Sequence, residues 1–191
     1  MTNILVLCTA NRCRSPMAQA LLTRRLPYPG VVGQIRSAGV LRGGEPPPRE
    51  VVRVMAAYGL DVSAHRSRVV GEAELASADL VLAMGRAHLR HAVIASPQVW
   101  PRVFTLKELV RRGKRVGRRL PGEPVAAWLE RVHEGRQHRT FLGDSPEDDV
   151  NDPFGGPLSA YAAAAAVLDG LVAELADTCW GCAESRLKRH V

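Results

Sequence analysis

A cysteine and an arginine near the start of the chain have a spacing that suits phosphoryl transfer. Residues 8–15 read Cys-Thr-Ala-Asn-Arg-Cys-Arg-Ser, so Cys8 precedes Arg14 by six positions. The segment lies between a short apolar run and a helical pattern that starts near Pro16. A turn from a strand into a helix directs several backbone N–H groups into one concavity, and the helix N-terminus adds partial positive charge. An oxyanion such as phosphate would fit in such a turn.

The side chains of this 8–15 loop suggest how the oxyanion would react. Arg14 can bind two phosphoryl oxygens at once, and the positive field favours the thiolate form of Cys8. Ser15 offers a hydroxyl to the sulfur when the sulfur becomes a leaving group. We therefore expect Cys8 to attack phosphorus and to form a phosphocysteine intermediate. The alternative is an ordinary strand-to-helix turn with an inert buried cysteine, because the same spacing also arises by chance.

Apolar periodicity predicts that strands and helices alternate along the chain. Strands are predicted at residues 3–7, 34–38, 80–83 and 103–104, and helices at about 16–26, 49–58, 86–95, 106–111, 123–135 and 158–176. Such alternation implies βαβ units and a parallel sheet. We expect one α/β domain over residues 1–191, built as a three-layer sandwich with a central, mainly parallel four-stranded sheet and helices on both faces.

Composition limits the classes of protein that fit. The 191 residues are 46% hydrophobic and 24% charged, which is typical of a soluble globular protein and excludes a disordered chain. No apolar run approaches about 18 residues and the N-terminus lacks a signal-peptide pattern, so four cysteines indicate a reducing cytoplasm. The net charge of +7 favours an anionic ligand, whereas an aromatic content of 5% weakens the case for nucleic acid.

The chain resembles the bacterial low-molecular-weight protein tyrosine phosphatases in two motifs. Their Cys-x5-Arg-Ser loop, with Asn at its fourth position and a second Cys before the Arg, is matched by Cys8, Asn11, Cys13, Arg14, Ser15 and Pro16. Their Asp-Pro-aromatic loop is matched by residues 151–156, Asn-Asp-Pro-Phe-Gly-Gly. The resemblance covers about residues 3–110 and 148–176, with weaker similarity at 37–39, 44–46 and 79–84.

The resemblance implies a role for each matched position. Cys8 would be the nucleophile, Arg14 would bind the phosphoryl group, and Asp152 would be the general acid and then the base. The remaining substrate or phosphate contacts would come from Thr9, Ala10, Asn11, Arg12, Cys13, Ser15 and Phe154. Ser37 would support the loop, and Cys13 would also guard Cys8 through a reversible disulfide. The reaction would need neither a metal nor another cofactor.

Two loop positions depart from the family pattern. Ala10 stands where Gly is usual, which is tolerated if its φ is negative. Arg12 stands where tyrosine phosphatases carry Ile or Leu and related arginine phosphatases carry Thr. Arg12 either lies near the substrate slot, where it would favour extra negative charge, or points to solvent. Phosphotyrosine in protein is the leading substrate, phosphoarginine and small phosphorylated metabolites are alternatives, and inorganic phosphate is the product.

The cysteines near the C-terminus leave a second activity open. A thiol-dependent arsenate reductase of the same fold would need further redox cysteines, and residues 80–90 contain none. Cys179 and Cys182 lie in a tail at about 177–191 and receive no role. A zinc site that joined them to the two loop cysteines would abolish the nucleophile.

A basic segment also has two interpretations. Residues 111–147 form an insertion whose positive run, at 111–119, is either a solvated surface or a docking face for an acidic partner. A nucleic-acid-binding module is a third, weaker hypothesis for the whole chain, and its binding would depend steeply on salt. The six histidines show no metal spacing, no membrane partner is expected, and the oligomeric state is open.

Overall fold

The computed structural model describes residues 1–26, 32–41 and 43–181, and its centre is a four-stranded sheet. The strands are β1 (Thr2–Cys8), β2 (Val32–Gly39), β3 (Leu80–Ala83) and β4 (Val103–Thr105). Their order is β2-β1-β3-β4, and every neighbouring pair is parallel. This confirms the predicted parallel sheet. Because parallel strands end at one edge, Cys8 lies level with Gly39 of β2 and at the same edge as the ends of β3 and β4.

Helices cover both faces of this sheet. They are α1 (Arg14–Arg25), α2 (Arg49–Ala57), α3 (Glu72–Ser77), α4 (Arg86–Ala95), α5 (Leu106–Val116), α6 (Val125–His133) and α7 (Leu158–Trp180), with short 3-10 helices at Pro97–Arg102 and His138–Phe141. Side chains alternate between faces along a strand. Accordingly Ile4 and Val6 enter a core with α1, α2, α5, α6 and α7, whereas Leu5 and Leu7 enter a core with α3 and α4. The predicted three-layer sandwich is therefore confirmed.

The structure differs from the sequence predictions mainly at helix ends. Helix α3 was not predicted, because six residues give too little periodicity to recognise. Helix α5 was predicted to end at residue 111, but it continues to Val116 through Gly113. A Cβ at Gly113 would lie 2.9 Å from Cζ2 of Trp128, so close packing of α6 explains a glycine inside this helix. Helix α7 runs to Trp180, so the predicted tail begins inside a helix, and Cys182 lies outside the described residues.

Helix α7 is long and apolar enough, by length and composition, to pass as a membrane span, although polar residues interrupt its apolar run. Its buried side chains, Leu168 and Val172 among them, instead pack in the core against α1, α2 and α5. A core helix of a globular domain meets the same test. Within the described residues, α7 is the one helix that does so.

Most basic side chains of the 111–119 run bond to other parts of the molecule, and half of them do so in ion pairs. Arg111 contacts Asp148 at 2.8 Å, and Arg112 donates to the carbonyl oxygen of Val132 at 2.7 Å. Two further pairs reach α7: Lys114–Glu174 at 2.8 Å and Arg118–Asp177 at 2.5 Å. The run is partly exposed, as a solvated surface would be, but it also connects α5 to its neighbours.

A buried ion pair fixes the other part of the predicted insertion. Arg136 donates to both carboxylate oxygens of Glu108, at 2.7 and 3.1 Å, and both side chains are buried. The guanidinium also stacks 4.1 Å from the ring centroids of Trp100 and Phe104. Burial raises the pKa of Glu108, and the charge of Arg136 opposes that rise. The segment around Arg136 is therefore anchored in the core by a buried ion pair.

Candidate active site

The 8–15 loop begins at the carboxyl end of β1 and runs into the first turn of α1. Cys8 is buried, and its Sγ lies 3.0 Å from the hydroxyl oxygen of Ser15. The backbone N–H of Asn11 donates to the same sulfur at 3.2 Å. Two polar groups thus face one sulfur, and both can donate to a thiolate. This environment differs from that of an inert core cysteine.

Asn11 holds the loop in an unusual conformation. Its φ is 53°, the one positive value among the described residues other than glycine. Its side-chain Nδ2 donates to the hydroxyl oxygens of Ser15 and Ser37, each at 2.9 Å, and its Oδ1 accepts the backbone N–H of Arg68 at 3.0 Å. Asparagine tolerates the left-handed region better than most residues. The structure therefore brings Asn11, Ser15 and Ser37 together, as expected for a supported loop.

Two of the residues behind Asn11 were missed by the sequence analysis. His65 donates its Nε2–H to the carbonyl oxygen of Asn11 at 2.7 Å, and Gln19 accepts the hydroxyl of Ser37 at 2.6 Å. Burial lowers the pKa of His65. His65 lies 54 positions from Asn11, so no local pattern could have revealed the contact.

The end of β2 supplies a close backbone surface for the loop. The N–H groups of Val40 and Leu41 donate to the carbonyl oxygen of Thr9 at 2.9 and 3.0 Å. A Cβ at Gly39 would lie 2.9 Å from backbone atoms of residues 9–11, which explains a glycine there. Ala10 has no positive φ, so its methyl group is accommodated without backbone strain.

Arg14 connects the loop to the downstream Asp-Pro motif. It is 7% exposed, and it donates from Nη1 to the carbonyl oxygen of Val150 at 3.1 Å. From Nη2 it donates to Thr9 Oγ1 at 3.0 Å and to Asp152 Oδ2 at 2.5 Å. Its buried Nε has no hydrogen-bond partner among the described residues, which leaves a donor for an oxyanion. Asp152 is half-exposed and its Oδ1 accepts the N–H of Phe154 at 3.2 Å.

His88 is a further site residue that the sequence did not reveal. Its Nε2 lies 2.9 Å from Thr9 Oγ1, the atom that also accepts from Arg14. Burial, with the nearby charge of Arg14, lowers the pKa of His88 to about 4. His88 is therefore neutral near pH 7 and adds no competing positive charge beside Arg14.

The rim of the site combines an aromatic ring with a cation. Phe154 is 59% exposed, and the guanidinium of Arg12 lies 5.4 Å from the centre of its ring. Arg12 also donates from Nε to the carbonyl oxygen of Pro46 at 2.9 Å. The structure thus places Arg12 against the predicted slot wall rather than in open solvent. Tyr161 accepts the N–H of Gly155 at 3.2 Å, which ties this wall to α7.

The two loop cysteines have different surroundings. Cys13 precedes α1 and is buried, and that burial raises its pKa to about 12. Neither Cys8 nor Cys13 forms a disulfide in the structure. Cys179 is buried on α7. Over the described ranges 1–26, 32–41 and 43–181, no group of three His, Cys, Asp or Glu side chains is arranged to hold a metal ion.

A Cys-x5-Arg loop at the carboxyl edge of a parallel sheet, with an aspartate beside the arginine, defines a cysteine-based phosphatase. Residues 3–125 match the family described as low molecular weight phosphotyrosine protein phosphatase. The chain belongs to that family, so it is a metal-independent phosphatase, and the resemblance seen in the sequence is confirmed.

Known relatives extend the similarity to both ends of the chain. A Ralstonia solanacearum protein described as "probable low molecular weight protein-tyrosine-phosphatase EpsP" is 42% identical over 107 residues, 56% of this chain and 71% of the relative. A protein-arginine-phosphatase of Geobacillus stearothermophilus is 31% identical over 175 residues, 91% of this chain and 93% of the relative. The solved structure of the YwlE arginine phosphatase from that organism has a TM-score of 0.68 at 30% identity, covering 100% of this chain and 99% of the other.

Proposed function

We propose that this phosphatase hydrolyses phosphomonoesters on proteins in two steps, with Cys8 as the nucleophile. Cys8 Sγ attacks phosphorus, the ester oxygen leaves with a proton from Asp152, and a phosphocysteine forms. Water then attacks the phosphocysteine while Asp152 accepts its proton, and the sulfur leaves as a thiolate. Inorganic phosphate is released. The observation that carries this proposal is the continuous set of contacts from Ser15 and Asn11 through Cys8 and the loop to Arg14 and Asp152.

Binding of the phosphoryl group rests on donors that are already fixed in place. Arg14 is held by Val150 and Thr9, and we propose that it binds two phosphoryl oxygens in the transition state. We propose that backbone amides of Thr9, Ala10, Arg12, Cys13 and Ser15 also donate to the phosphoryl oxygens, while the N–H of Asn11 faces the sulfur. Preorganised donors in a water-poor site stabilise developing negative charge strongly, because they need no reorganisation during the reaction.

Departure of the sulfur in the second step also has support from the geometry. The N–H of Asn11 and the hydroxyl of Ser15 both lie within hydrogen-bond reach of Cys8 Sγ. Both groups donate more strongly to the negatively charged thiolate than to a thiol or to the sulfur of the phosphocysteine. We propose that they speed hydrolysis of the phosphocysteine by making Cys8 a better leaving group.

Cys13 is proposed as the redox guard of Cys8. Oxidation of the Cys8 thiolate by a peroxide gives a sulfenic acid, and the Cys13 thiol then displaces water to form a disulfide. Two thiols of a reducing partner then restore both cysteines and are themselves oxidised to a disulfide. Burial raises the pKa of Cys13 to about 12, so in the reduced enzyme Cys13 stays protonated and does not compete with Cys8 for phosphorus. Cys13 loses its proton only when it displaces the sulfenic oxygen as water. This role fits a reducing cytoplasmic location, which we infer from the cysteine content.

The substrate has two candidate classes. The 31% identity to a protein-arginine-phosphatase over 91% of the chain favours phosphoarginine. Arg12 argues against it, because a phosphoarginine side chain carries a guanidinium of its own and would meet like charge at the rim. Phe154 offers a flat face to an aryl ring. We therefore propose phosphotyrosine in acidic sequence surroundings as the preferred substrate.

Two variants test the mechanism on an aryl phosphate. Cys8→Ala is expected to remove activity, and Asp152→Asn to lower kcat by about 10²–10⁴ for a poor leaving group. The loss in Asp152→Asn should shrink for a phenol that leaves readily, since that phenolate needs no proton. Asp144→Asn is the matched control, because Asp144 is an exposed carboxylate in the preceding turn. Full activity of Cys8→Ala, or equal effects of the two aspartate variants, would contradict the mechanism.

A second comparison tests the substrate class. The ratio of kcat/KM for a phosphotyrosine peptide to that for a phosphoarginine peptide is measured in the native enzyme and in Arg12→Thr. We expect the native enzyme to prefer phosphotyrosine and Arg12→Thr to shift the ratio about tenfold towards phosphoarginine, which is about 1.4 kcal/mol. A native preference for phosphoarginine would refute the assignment. Arsenate-dependent consumption of a thiol donor would instead support a reductase.

A further inference from the structure

A second basic cleft lies behind the 8–15 loop, along the edge strand β2. We call it the Arg36 cleft. It has a volume of about 370 Å³ and is lined by Gln19, Arg36, Ser37, His65, Arg66 and Arg68. Cys8, Arg14 and Asp152 are not among its lining residues. The cleft is therefore separate from the catalytic concavity, and its volume is at the lower end of the range for small-ligand sites.

The charge of the Arg36 cleft is strongly positive and only partly compensated. Three guanidinium groups line it, and no lining residue is acidic. Arg68 pairs with Glu74, whereas neither Arg36 nor Arg66 forms an ion pair with any residue in the described part of the chain. Within the residues that the structure describes, Arg66 donates only to the carbonyl oxygens of Ser63 and His65. Clustered cations without counter-charges raise the local concentration of anions.

The chemistry of the lining side chains indicates the class of ligand. Arg36 and Arg66 are exposed, and each guanidinium presents its donors in pairs. With Ser37 and Gln19 beside them, the lining offers several hydrogen-bond donors and no acidic group. These features indicate an oxyanion as the ligand.

The cleft shares a wall with the catalytic loop. Ser37, His65 and Arg68 each contact Asn11, through its Nδ2, its carbonyl oxygen and its Oδ1 respectively. Asn11 in turn donates its backbone N–H to Cys8 Sγ. Asn11 therefore contacts both the lining of the Arg36 cleft and the nucleophile, and it connects the two sites.

We propose that the Arg36 cleft is a second, noncatalytic site for a phosphate dianion and that its occupation slows turnover. The bidentate geometry of guanidinium groups suits a phosphate oxygen pair. A dianion in the cleft cancels part of the positive potential behind the loop. The thiolate form of Cys8 is then less stabilised, and the dianionic substrate is less strongly attracted. Two sources carry this chemistry: free inorganic phosphate, the product of the reaction, and a second phosphoryl group on the same substrate protein.

Stoichiometry of phosphate binding tests the site without depending on catalysis. By isothermal titration at low salt, the native protein is expected to bind two inorganic phosphates and Arg36→Ala/Arg66→Ala to bind one. Both side chains are exposed, so the substitutions spare the core. The control Arg115→Ala/Arg139→Ala removes two exposed arginines elsewhere and should retain both sites. A single phosphate on the native protein, or two on Arg36→Ala/Arg66→Ala, would overturn the proposal.

Two further measurements separate this site from the catalytic one and identify the source. Arg14→Ala should keep the phosphate in the Arg36 cleft and lose the phosphate in the 8–15 loop. The result therefore tests the proposed catalytic site separately from the proposed cleft site. Phosphate should lower kcat in the native enzyme and raise only KM in Arg36→Ala/Arg66→Ala. A doubly phosphorylated peptide with a lower KM than its singly phosphorylated form, in the native enzyme alone, would identify the source as the substrate. Equal KM values for the two peptides, together with a lower kcat in the presence of phosphate, would identify free phosphate as the source. If phosphate raised only KM in the native enzyme, the proposed effect of the cleft on turnover would be refuted.

Discussion

Replacement of Asn11 by alanine should reveal how much the loop depends on one side chain. Asn11→Ala loses three side-chain hydrogen bonds, to Ser15, Ser37 and Arg68, each contributing about 1 kcal/mol. Alanine at φ 53° adds a conformational cost of about 1 kcal/mol. The free energy of unfolding should therefore fall by about 4 kcal/mol, and a domain of ordinary stability would stay folded.

Urea denaturation and aryl phosphate kinetics check this prediction, with Asn11→Gly as the matched control. Glycine loses the same hydrogen bonds but adopts a positive φ freely, so it should be about 1 kcal/mol more stable than Asn11→Ala. Both variants should lose about tenfold to a hundredfold in kcat, since the N–H that faces Cys8 Sγ is no longer held in place. If Asn11→Ala matched the native protein in stability and kcat, the loop would not depend on this residue and the reasoning would fail.

Three further perturbations test other contacts. As pH falls from about 6.5 to 4, His88 becomes protonated in the unfolded chain but not in the folded chain. The free energy of unfolding of the native protein, measured by urea titration, should therefore fall by about 3 kcal/mol more than that of His88→Gln. Arg136→Met leaves Glu108 buried and unpaired and should cost about 3–5 kcal/mol, and adding Glu108→Leu should recover stability rather than lose more. Gly39→Ala forces a Cβ against the loop backbone, so it should lower the free energy of unfolding by about 1–3 kcal/mol and also lower kcat, whereas Gly71→Ala, in open space, should change neither.

The fold was largely predictable because its strands are short, β3 is wholly apolar and β1 is mostly apolar, and turn residues separate the elements. The run at residues 80–83 is buried along its whole length, as a central parallel strand requires. Helix α3 was missed because only Leu75 of its six residues is fully buried. The extent of α5 was missed because Gly113 and the surrounding arginines look like a solvated loop, and only the packing of Trp128 against the glycine explains the helix.

The site was predictable where its residues are close in sequence and not where they converge from afar. Cys8, Arg14 and Ser15 could be singled out from their spacing within one turn, whereas Asn11 was given a role only through the family resemblance. The contact between Arg14 and Asp152 joins positions 138 apart, and it was expected only because both motifs resemble one family. His65 and His88 reach the loop from separate elements. Nothing in their local sequences distinguishes them from other histidines, so only the tertiary structure could identify them.

The most direct test of the account is to trap the covalent intermediate. The enzyme is mixed rapidly with a radiolabelled aryl phosphate, quenched in acid within one turnover, digested and mapped by mass spectrometry. The account predicts one phosphoryl group per chain, attached to Cys8, that forms in the native enzyme and is absent from Cys8→Ala. Label on another residue, or turnover in Cys8→Ala, would contradict the account.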